Sequence, residues 1–222
     1  MKVALIGTGK TGSEVQKLLS PDNLVGPFNK RNPPTKENLE KADVVIVFVA
    51  GSEISSLIPL LLETNLPVIW GSTGVVWPTD LQDKLKAKNL CWIHSHNFSL
   101  AMMIIKKMLS SFSEIKNLLP DGKFSLSETH HVHKKDAPSG TALSMQEWLG
   151  FEIPLTSVRE GDVIGIHELI FETAFEKINL KHTAKSRALF AQGALWSAQQ
   201  LLQKKQKNEI TSGLYPWSIF FT

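Results

Sequence analysis

The stretch VALIGTGKTG, residues 3–12, decides the fold of the first half of the chain. It begins with a short apolar run typical of a buried strand and passes at Gly7 into a sequence that fits G-x-G-x-x-G. Glycines in that motif permit a tight turn, close approach of a pyrophosphate to the backbone, and close packing of helix on strand. The position after a strand and before a helix favours dinucleotide binding over the alternative, a glycine turn with a purely structural role.

Apolar runs and amphipathic stretches alternate through the first hundred residues. The strand-like runs are 3–7, 24–28, 44–49, 67–70 and 90–94, and the helix-like stretches lie near 11–20, 53–65 and 78–88. Continuous apolar strands separated by helices predict a parallel sheet that is covered on both faces. Pro33-Pro34 indicates a loop in place of one crossover helix.

The turn after the second apolar run bears on which dinucleotide would bind. An NAD site of this type usually has an Asp or Glu about 20 residues beyond the glycines, which accepts from the 2′-hydroxyl of the adenosine ribose. Here the residues are Phe28-Asn29-Lys30-Arg31, with no carboxylate and two cations. This favours NADPH, whose 2′-phosphate the cations would bind, with NADH as a second cofactor. The alternative is that Lys30 and Arg31 form a solvated turn.

Two more turns follow strands, where an open α/β sheet places its ligand crevice. They are Gly71-Ser72-Thr73-Gly74 and His96-Asn97-Phe98-Ser99, and either could line a nicotinamide pocket or simply cap the start of a helix. The complete set of predicted cofactor-binding residues is Gly7, Gly9, Lys10, Thr11, Gly12, Lys30, Arg31, Phe48, Gly71, Ser72, Thr73, Asn97 and Phe98.

The pattern changes after residue 100. A helix-like segment is followed mainly by strand-like runs, which predicts a mixed or antiparallel sheet and a second domain. The last helix, SRALFAQGALWSAQQLLQKKQ, has an apolar face that we expect to pack back on the first domain. The predicted fold is therefore α/β: a Rossmann-like dinucleotide-binding domain, 1–98 with 187–222, and an α+β substrate-binding and oligomerisation domain, 99–186.

The composition limits the classes of function. With 24 basic and 21 acidic residues spread along the chain, the formal net charge is only +3, which argues against nucleic acid as a partner. The longest apolar runs end well short of the roughly 20 residues that cross a bilayer. The single cysteine, Cys91, suits a reducing compartment. We therefore expect a cytoplasmic protein with a small-molecule ligand and no membrane association.

The stretch SETHHVHKKDAPSGTA, residues 127–142, crowds titratable groups beside a turn of small residues. If it is extended through its histidines, His130 shares a face with Glu128, while His131 and His133 share the other face. The histidines then cannot all point at one centre.

Three interpretations of this stretch compete. In the first, His131-x-His133 binds a metal with Glu128 or Asp136, but the adjacent lysines would repel a divalent cation, so no metal is predicted. In the second, the residues form a polar edge with ordinary salt bridges. In the third, cations bind an anionic substrate and a histidine donates a proton. The segment Pro138-Ser139-Gly140-Thr141 supports the third, because it is typical of a helix N-terminus, with proline in the first turn, that attracts a carboxylate.

ETHHVHKKDAPSGTA resembles the signature of the dihydrodipicolinate reductase family, E-x-H-H-x-x-K-x-D-x-P-S-G-T-A, and meets every fixed position. The resemblance covers nearly the whole chain, through GTGKTG, GSTG, HNFS, GDVIGIHELIF and KSRALFAQGA. It implies a homotetramer formed through the second domain. It also implies hydride transfer from NAD(P)H to C4 of 4-hydroxy-tetrahydrodipicolinate, a cyclic dicarboxylate that loses its hydroxyl as water, in diaminopimelate and lysine synthesis.

The resemblance also implies roles for single residues. His130 matches the general acid of the family, and Lys134 matches a catalytic lysine that meets a substrate carboxylate. The positions that match substrate-binding residues are His131, Ser139, Gly140 and Thr141. The cofactor positions that match are Gly7, Lys10, Thr11 and Gly12 in the phosphate loop, and Gly71, Thr73, Asn97 and Phe98 near the nicotinamide.

This chain departs from the family pattern around the adenosine. It is shorter than most members between the second and third strands, it lacks the acid many carry after the second strand, and FVAGS at 48–52 lacks the Thr-Arg often seen there. These changes bear on cofactor preference and leave the chemical site intact. The alternatives to a reductase are a catalytically inactive NADP-binding regulatory protein of the same fold, and an oxidoreductase acting on another carbonyl or imine acid.

Overall fold

The computed structural model describes residues 1–221, in two compact units. The first unit contains residues 1–99 and the chain from residue 188 onward. The second contains residues 100–187.

The first unit is built on a six-stranded sheet in which all neighbouring strands are parallel. Its strands are Val3–Ile6 (β1), Leu24–Phe28 (β2), Val44–Val47 (β3), Val68–Trp70 (β4), Cys91–His94 (β5) and Gly213–Pro216 (β10). The order β10-β5-β4-β3-β1-β2 reverses direction between β1 and β3. At such a reversal, an open α/β sheet has a crevice outside the carboxyl ends of its strands. The predicted Rossmann-like class is confirmed.

Helices and sheet share one apolar core in this unit. The helices are Gly12–Leu18 (α1), Lys36–Leu39 (α2), Ile54–Glu63 (α3), Leu81–Ala87 (α4) and Ala188–Gln206 (α7). Consecutive residues of a strand point to opposite faces, and every residue of β3 is fully buried, so both faces of the sheet are covered. Ile58 and Leu85 pack against the strands from α3 and α4. The last helix, α7, contacts α1, β3 and β4.

The strand β10 is absent from the prediction, which ends with the helix α7. Its residues are Gly-Leu-Tyr-Pro, without the apolar run that indicates a strand. It pairs with β5 at the edge of the sheet, where a proline is tolerated. The backbone N–H of Leu214 donates to the side chain of Gln82 at 2.7 Å, and that of Gly213 donates to the carbonyl of Leu90 at 2.8 Å. Hydrogen bonds to β5, Gln82 and Leu90 thus hold β10 in the sheet, although its own sequence does not indicate a strand.

The second unit combines a four-stranded sheet with two helices. The strands are Lys123–His130 (β6), Leu155–Arg159 (β7), Ile166–Glu172 (β8) and Lys177–Thr183 (β9), and the helices are Leu100–Leu118 (α5) and Gly140–Leu149 (α6). The strand order is β7-β6-β8-β9, with β6 and β7 parallel and the other pairs antiparallel. The predicted mixed sheet is therefore confirmed. Among residues 1–221, no helix is both long and apolar enough to cross a membrane.

Two local predictions about residues 127–142 are wrong. The strand β6 ends at His130, and the N–H of Lys134 turns back to the carbonyl of His131 at 3.0 Å, so the alternation of faces does not extend to the later histidines. The helix α6 begins at Gly140 with Ser139 as its N-cap, which leaves Pro138 before the helix and outside its first turn.

Candidate functional site

Glu128 and His130 form a buried hydrogen-bonded pair at the end of β6. They lie two residues apart in the strand and so share one face of the sheet, with exposures of 0% and 7%. The Nδ1 atom of His130 is hydrogen-bonded to Oε2 of Glu128. Burial lowers the pKa of His130, although the carboxylate of Glu128 acts in the opposite direction. On the other side of the ring, a Cβ built on Gly165 would lie 3.1 Å from Nε2, so a glycine there keeps Nε2 uncrowded.

Arg159 connects this pair to the loop that follows it. The strand β7 places Arg159 opposite His130, and Nη1 of the guanidinium lies 2.9 Å from Oε1 of Glu128. Burial alone would raise the pKa of Glu128, but hydrogen bonds from Ser157 and Arg159 outweigh it and lower that pKa, so the carboxylate is ionised. The guanidinium also donates to the carbonyl oxygens of Lys134 at 3.3 Å and Asp136 at 2.5 Å. The side chain of Arg159 thus contacts both the carboxylate of Glu128 and the loop that contains Lys134.

Lys134 is paired with an acid of its own loop. Its Nζ atom lies 2.8 Å from each carboxylate oxygen of Asp136. Burial would raise the pKa of Asp136, but this hydrogen bond and the charge of Lys134 lower it. An anionic ligand must therefore compete with Asp136 for the ammonium group. The rings of His131 and His133 lie beyond the strand, with centroids 6.3 Å apart.

Ser139 joins the start of α6 to a second buried histidine. Its Oγ atom accepts from the backbone N–H of Ala142 at 3.2 Å and lies 3.2 Å from Nε2 of His167. Burial lowers the pKa of His167 to about 3, so the ring is neutral at physiological pH. Gly140 and Thr141 form the first turn of α6, where the helix dipole attracts an anion. The predicted substrate residues from His130 to Thr141 thus lie within one unit, on β6, on the loop after it, and at the start of α6.

The glycine loop, residues 7–12, connects β1 to the start of α1. Gly7 has a φ of +103°, and a Cβ there would lie 2.1 Å from the carbonyl oxygen of Phe48. A Cβ on Gly12 would lie 2.0 Å from the carbonyl oxygen of Gly7, whereas one on Gly9 meets nothing within 4 Å. Gly7 and Gly12 are therefore required by the protein's own packing, and Gly9 leaves the backbone open to a ligand. Lys10 and Thr11 complete the loop before α1.

The turn after β2 makes two contacts with neighbouring loops. The side-chain amide of Asn29 lies 3.4 Å from the hydroxyl of Thr8 in the glycine loop. Lys30 Nζ lies 3.1 Å from Oε1 of Glu53, which follows β3. Because β2 and β3 flank β1, this ion pair connects the strands on either side of the glycine loop. Arg31 is exposed in the same turn.

The remaining predicted cofactor residues lie after β3, β4 and β5, whose carboxyl ends share one edge of the parallel sheet. A Cβ on Gly71 would lie 2.0 Å from the ring of Phe48, so this glycine permits close contact with that ring. The rings of Phe48 and Phe98 are 6.3 Å apart between centroids, at a steep angle. Asn97 Oδ1 accepts from the N–H of Ser99 at 2.8 Å. In the turn after β4, Ser72 is buried and Thr73 is exposed.

Sequence reasoning missed the residues that arrive from other strands. The register across the second sheet pairs Glu128 with His167 and His167 with His182, a row that no single segment reveals. Glu128, His130 and His167 place ligand-type atoms within 4.8 Å of one another. However, the charges of Lys134 and Arg159 already lower the pKa of His130, and the same charges oppose a cation. The electrostatics of this cluster therefore suit an anion.

Comparison with known proteins places this geometry in a family. A family model described as "Dihydrodipicolinate reductase, C-terminus" matches residues 101–214, just over half of the chain. The 4-hydroxy-tetrahydrodipicolinate reductase of Staphylococcus saprophyticus is 31% identical, over 92% of this chain and 96% of its own. That of Christiangramia forsetii is 29% identical, over 92% and 93%.

A solved structure agrees with the fold in both units. Dipicolinate-bound dihydrodipicolinate reductase from a Paenisporosarcina species matches with a TM-score of 0.67 and 22% identity, over 97% of each chain. The fold thus agrees with the family model and with the 31%-identical relative, which establish that the chain belongs to the dihydrodipicolinate reductase family of oxidoreductases.

Proposed function

We propose that this protein is a 4-hydroxy-tetrahydrodipicolinate reductase, which reduces its cyclic dicarboxylate substrate to tetrahydrodipicolinate in the diaminopimelate and lysine pathway. The observation that carries the proposal is the cluster in the second unit: a buried, carboxylate-bonded His130, the ammonium of Lys134 and the N-terminus of α6. The cluster offers one proton donor and two kinds of partner for a carboxylate.

In this proposal, Lys134 and the Ser139-Gly140-Thr141 turn bind a substrate carboxylate. The substrate displaces Asp136 from Lys134, and the ammonium then stabilises the negative charge that develops as the ring is reduced. His131, whose carbonyl accepts from the N–H of Lys134 at 3.0 Å, is a further proposed substrate-binding residue. His130 donates the proton that the reaction consumes, through its uncrowded Nε2 atom. The positive charges near His130 lower its pKa, and a bound dianion raises that pKa again. Substrate binding therefore favours the protonated form of His130, which is the form that donates.

The cofactor would be held by the first unit. The open backbone at Gly9, close to the positive-φ turn at Gly7, fits a pyrophosphate, and the cations Lys30 and Arg31 favour NADPH over NADH. The residues proposed to contact the cofactor are Gly7, Gly9, Lys10, Thr11, Gly12, Lys30, Arg31, Phe48, Gly71, Ser72, Thr73, Asn97 and Phe98. When bound, the nicotinamide supplies the hydride.

The assembly and location belong to the same proposal. Large apolar side chains of the second unit are exposed, with Phe175 at 98% and Leu118 at 77%, which supports a homotetramer formed through this unit. Cys91 is buried and burial raises its pKa to about 12, so the thiol is inert and suits a cytoplasmic protein.

The deciding experiment is to follow NADPH oxidation with freshly generated 4-hydroxy-tetrahydrodipicolinate. Rapid, substrate-dependent oxidation with formation of tetrahydrodipicolinate is expected. An inactive regulatory protein would bind NADPH without oxidising it. An oxidoreductase with another substrate would leave this dicarboxylate unchanged while reducing a different carbonyl or imine acid.

A further inference from the structure

Glu128 is the only carboxylic acid buried among residues 1–221, and the proposed chemistry gives it no role. A buried carboxylate is costly unless it is paired and hydrogen-bonded. Glu128 is held on both oxygens: Oε1 lies 2.9 Å from Nη1 of Arg159, and Oε2 is hydrogen-bonded to Nδ1 of His130. Replacing such a group by an apolar one is often neutral for stability, so a functional reason for the charge is worth testing.

We propose that Glu128 is the positioning residue for His130: its Oε2 atom accepts a hydrogen bond from Nδ1–H, so that Nε2 is left to face the substrate, and its charge favours the protonated ring. This role rests on the proposed function, in which His130 is the acid. During turnover the Nε2–H bond breaks as the proton passes to the reduced ring of the substrate. The neutral imidazole keeps its Nδ1 proton toward Glu128, and water then returns a proton to Nε2.

The charged and titratable groups that face His130 differ in their effect on its protonation. Lys134 and Arg159 disfavour the protonated ring, and His167, whose ring lies 5.1 Å away between centroids, is neutral. Among these groups, only Glu128 favours protonation. Loss of its charge should therefore move the protonation of His130 to lower pH. A general acid works only while it is protonated, so the fall in activity with rising pH should also move to lower pH.

The test uses Glu128→Gln, which keeps the shape and an acceptor oxygen but removes the charge. We expect kcat to fall roughly 10- to 100-fold, below the 10²- to 10⁴-fold effect of a general acid itself, with a much smaller change in KM. The alkaline limb of the pH profile should lie at lower pH than in the wild type. The matched control is Glu172→Gln, which removes an exposed acid of the same sheet that pairs with Lys177 at 3.4 Å. It should leave the profile unchanged.

Binding of pyridine-2,6-dicarboxylate, measured by calorimetry across pH, gives a readout that does not depend on turnover. A dianion binds more tightly when His130 is protonated, so affinity should fall with rising pH, and the fall should come at lower pH in Glu128→Gln. His130→Gln should lose this part of the pH dependence. An unshifted curve in Glu128→Gln would overturn the positioning role. If the curve shifts as expected but the wild type does not reduce 4-hydroxy-tetrahydrodipicolinate, the positioning role is supported and the proposed function fails.

A neutron structure of the deuterated wild-type protein keeps the inference testable if Glu128→Gln does not fold. Deuterium on Nδ1 of His130, directed at Glu128, supports the inference. Deuterium on Nε2 alone, with a bare Nδ1, overturns it.

Discussion

His130 and Lys134 are each held by an acid of their own segment before any substrate arrives. Replacing His130 by Gln removes the proton donor, and replacing Lys134 by Ala removes the partner of the developing charge. Each change should lower kcat by roughly 10²-fold or more. Steady-state kinetics with NADPH and 4-hydroxy-tetrahydrodipicolinate measure the effect, and circular dichroism checks that the fold is intact.

Neighbouring residues of the same loop serve as matched controls for those two changes. His133→Gln and Lys135→Ala alter exposed side chains of the same types, three residues after His130 and one residue after Lys134. Both variants should turn over at close to the wild-type rate. Turnover near the wild-type rate in His130→Gln or Lys134→Ala would remove that residue from the mechanism.

The buried His167 should make folding sensitive to acid. Its pKa falls from 6.5 to about 3 on burial, so below about pH 6.5 the unfolded chain binds a proton that the folded protein does not. The free energy of unfolding therefore decreases as pH falls from 6.5 toward 3, by about 1.4 kcal/mol per pH unit from this residue. Urea unfolding at pH 6.5 and pH 5 measures the loss.

The variant His167→Asn isolates this contribution. It should show a loss between those two pH values that is smaller than in the wild type by about 2 kcal/mol. An equal loss in His167→Asn and the wild type would show that His167 titrates alike in the folded and unfolded chains.

At the scale of elements, Gly193 allows the helix α7 to pack closely against the backbone at Phe98. At an exposed position inside a helix, replacing glycine by alanine stabilises the fold by about 1 kcal/mol. At Gly193, however, the added Cβ would lie 1.7 Å from the carbonyl oxygen of Phe98. Backbone atoms cannot yield as a flexible side chain does, so Gly193→Ala should destabilise by about 1–3 kcal/mol. Urea unfolding checks this, with the exposed neighbour Gln192→Ala as the control. A variant as stable as the wild type would mean that α7 can shift freely.

The turn after β2 should set cofactor preference through competition for one lysine. Lys30 is paired with Glu53 at 3.1 Å, and both side chains reach solvent. A 2′-phosphate must compete with Glu53, so Glu53→Gln should raise the NADPH-to-NADH affinity ratio about 2- to 5-fold, the scale of an exposed ion pair. Replacing both Lys30 and Arg31 by Ala should lower the ratio, and salt should weaken the wild-type preference.

Fluorescence titration with each cofactor measures these ratios. Lys36→Ala, which breaks the exposed pair between the start of α2 and Glu40 just after it, is the matched control and should leave the ratio unchanged. An unchanged ratio in the double alanine variant would identify Lys30 and Arg31 as a solvated turn.

At the scale of the whole molecule, we expect a homotetramer with about four times the 24.7 kDa mass of one chain. The exposed apolar residues Phe175 and Ile178 lie at the hairpin of β8 and β9 in the second unit, so Phe175→Asp with Ile178→Asp should dissociate the assembly. Light scattering at micromolar concentration measures the mass. Leu18→Asp, an exposed site in the first unit, should leave it intact. A monomeric wild type would contradict the prediction.

The sequence by itself determined the class of each sheet and the segments that we propose carry the chemistry. Apolar periodicity is local, so runs such as Val44–Val47 and stretches such as α3 could be read without knowing their partners. The glycine loop and the ETHHVHKKDAPSGTA signature are also contiguous, and they identified the family before any contact was known.

The tertiary structure alone decided which distant residues meet. Arg159 and His167 reach Glu128 and Ser139 through strand register, and Glu53 reaches Lys30 because β2 and β3 flank β1. The strand β10 depends on β5, with which it pairs, and on its bonds to Gln82 and Leu90. Contacts of this kind depend on packing between segments that are far apart in the chain. Neither segment alone therefore carries a sequence pattern that indicates its partner.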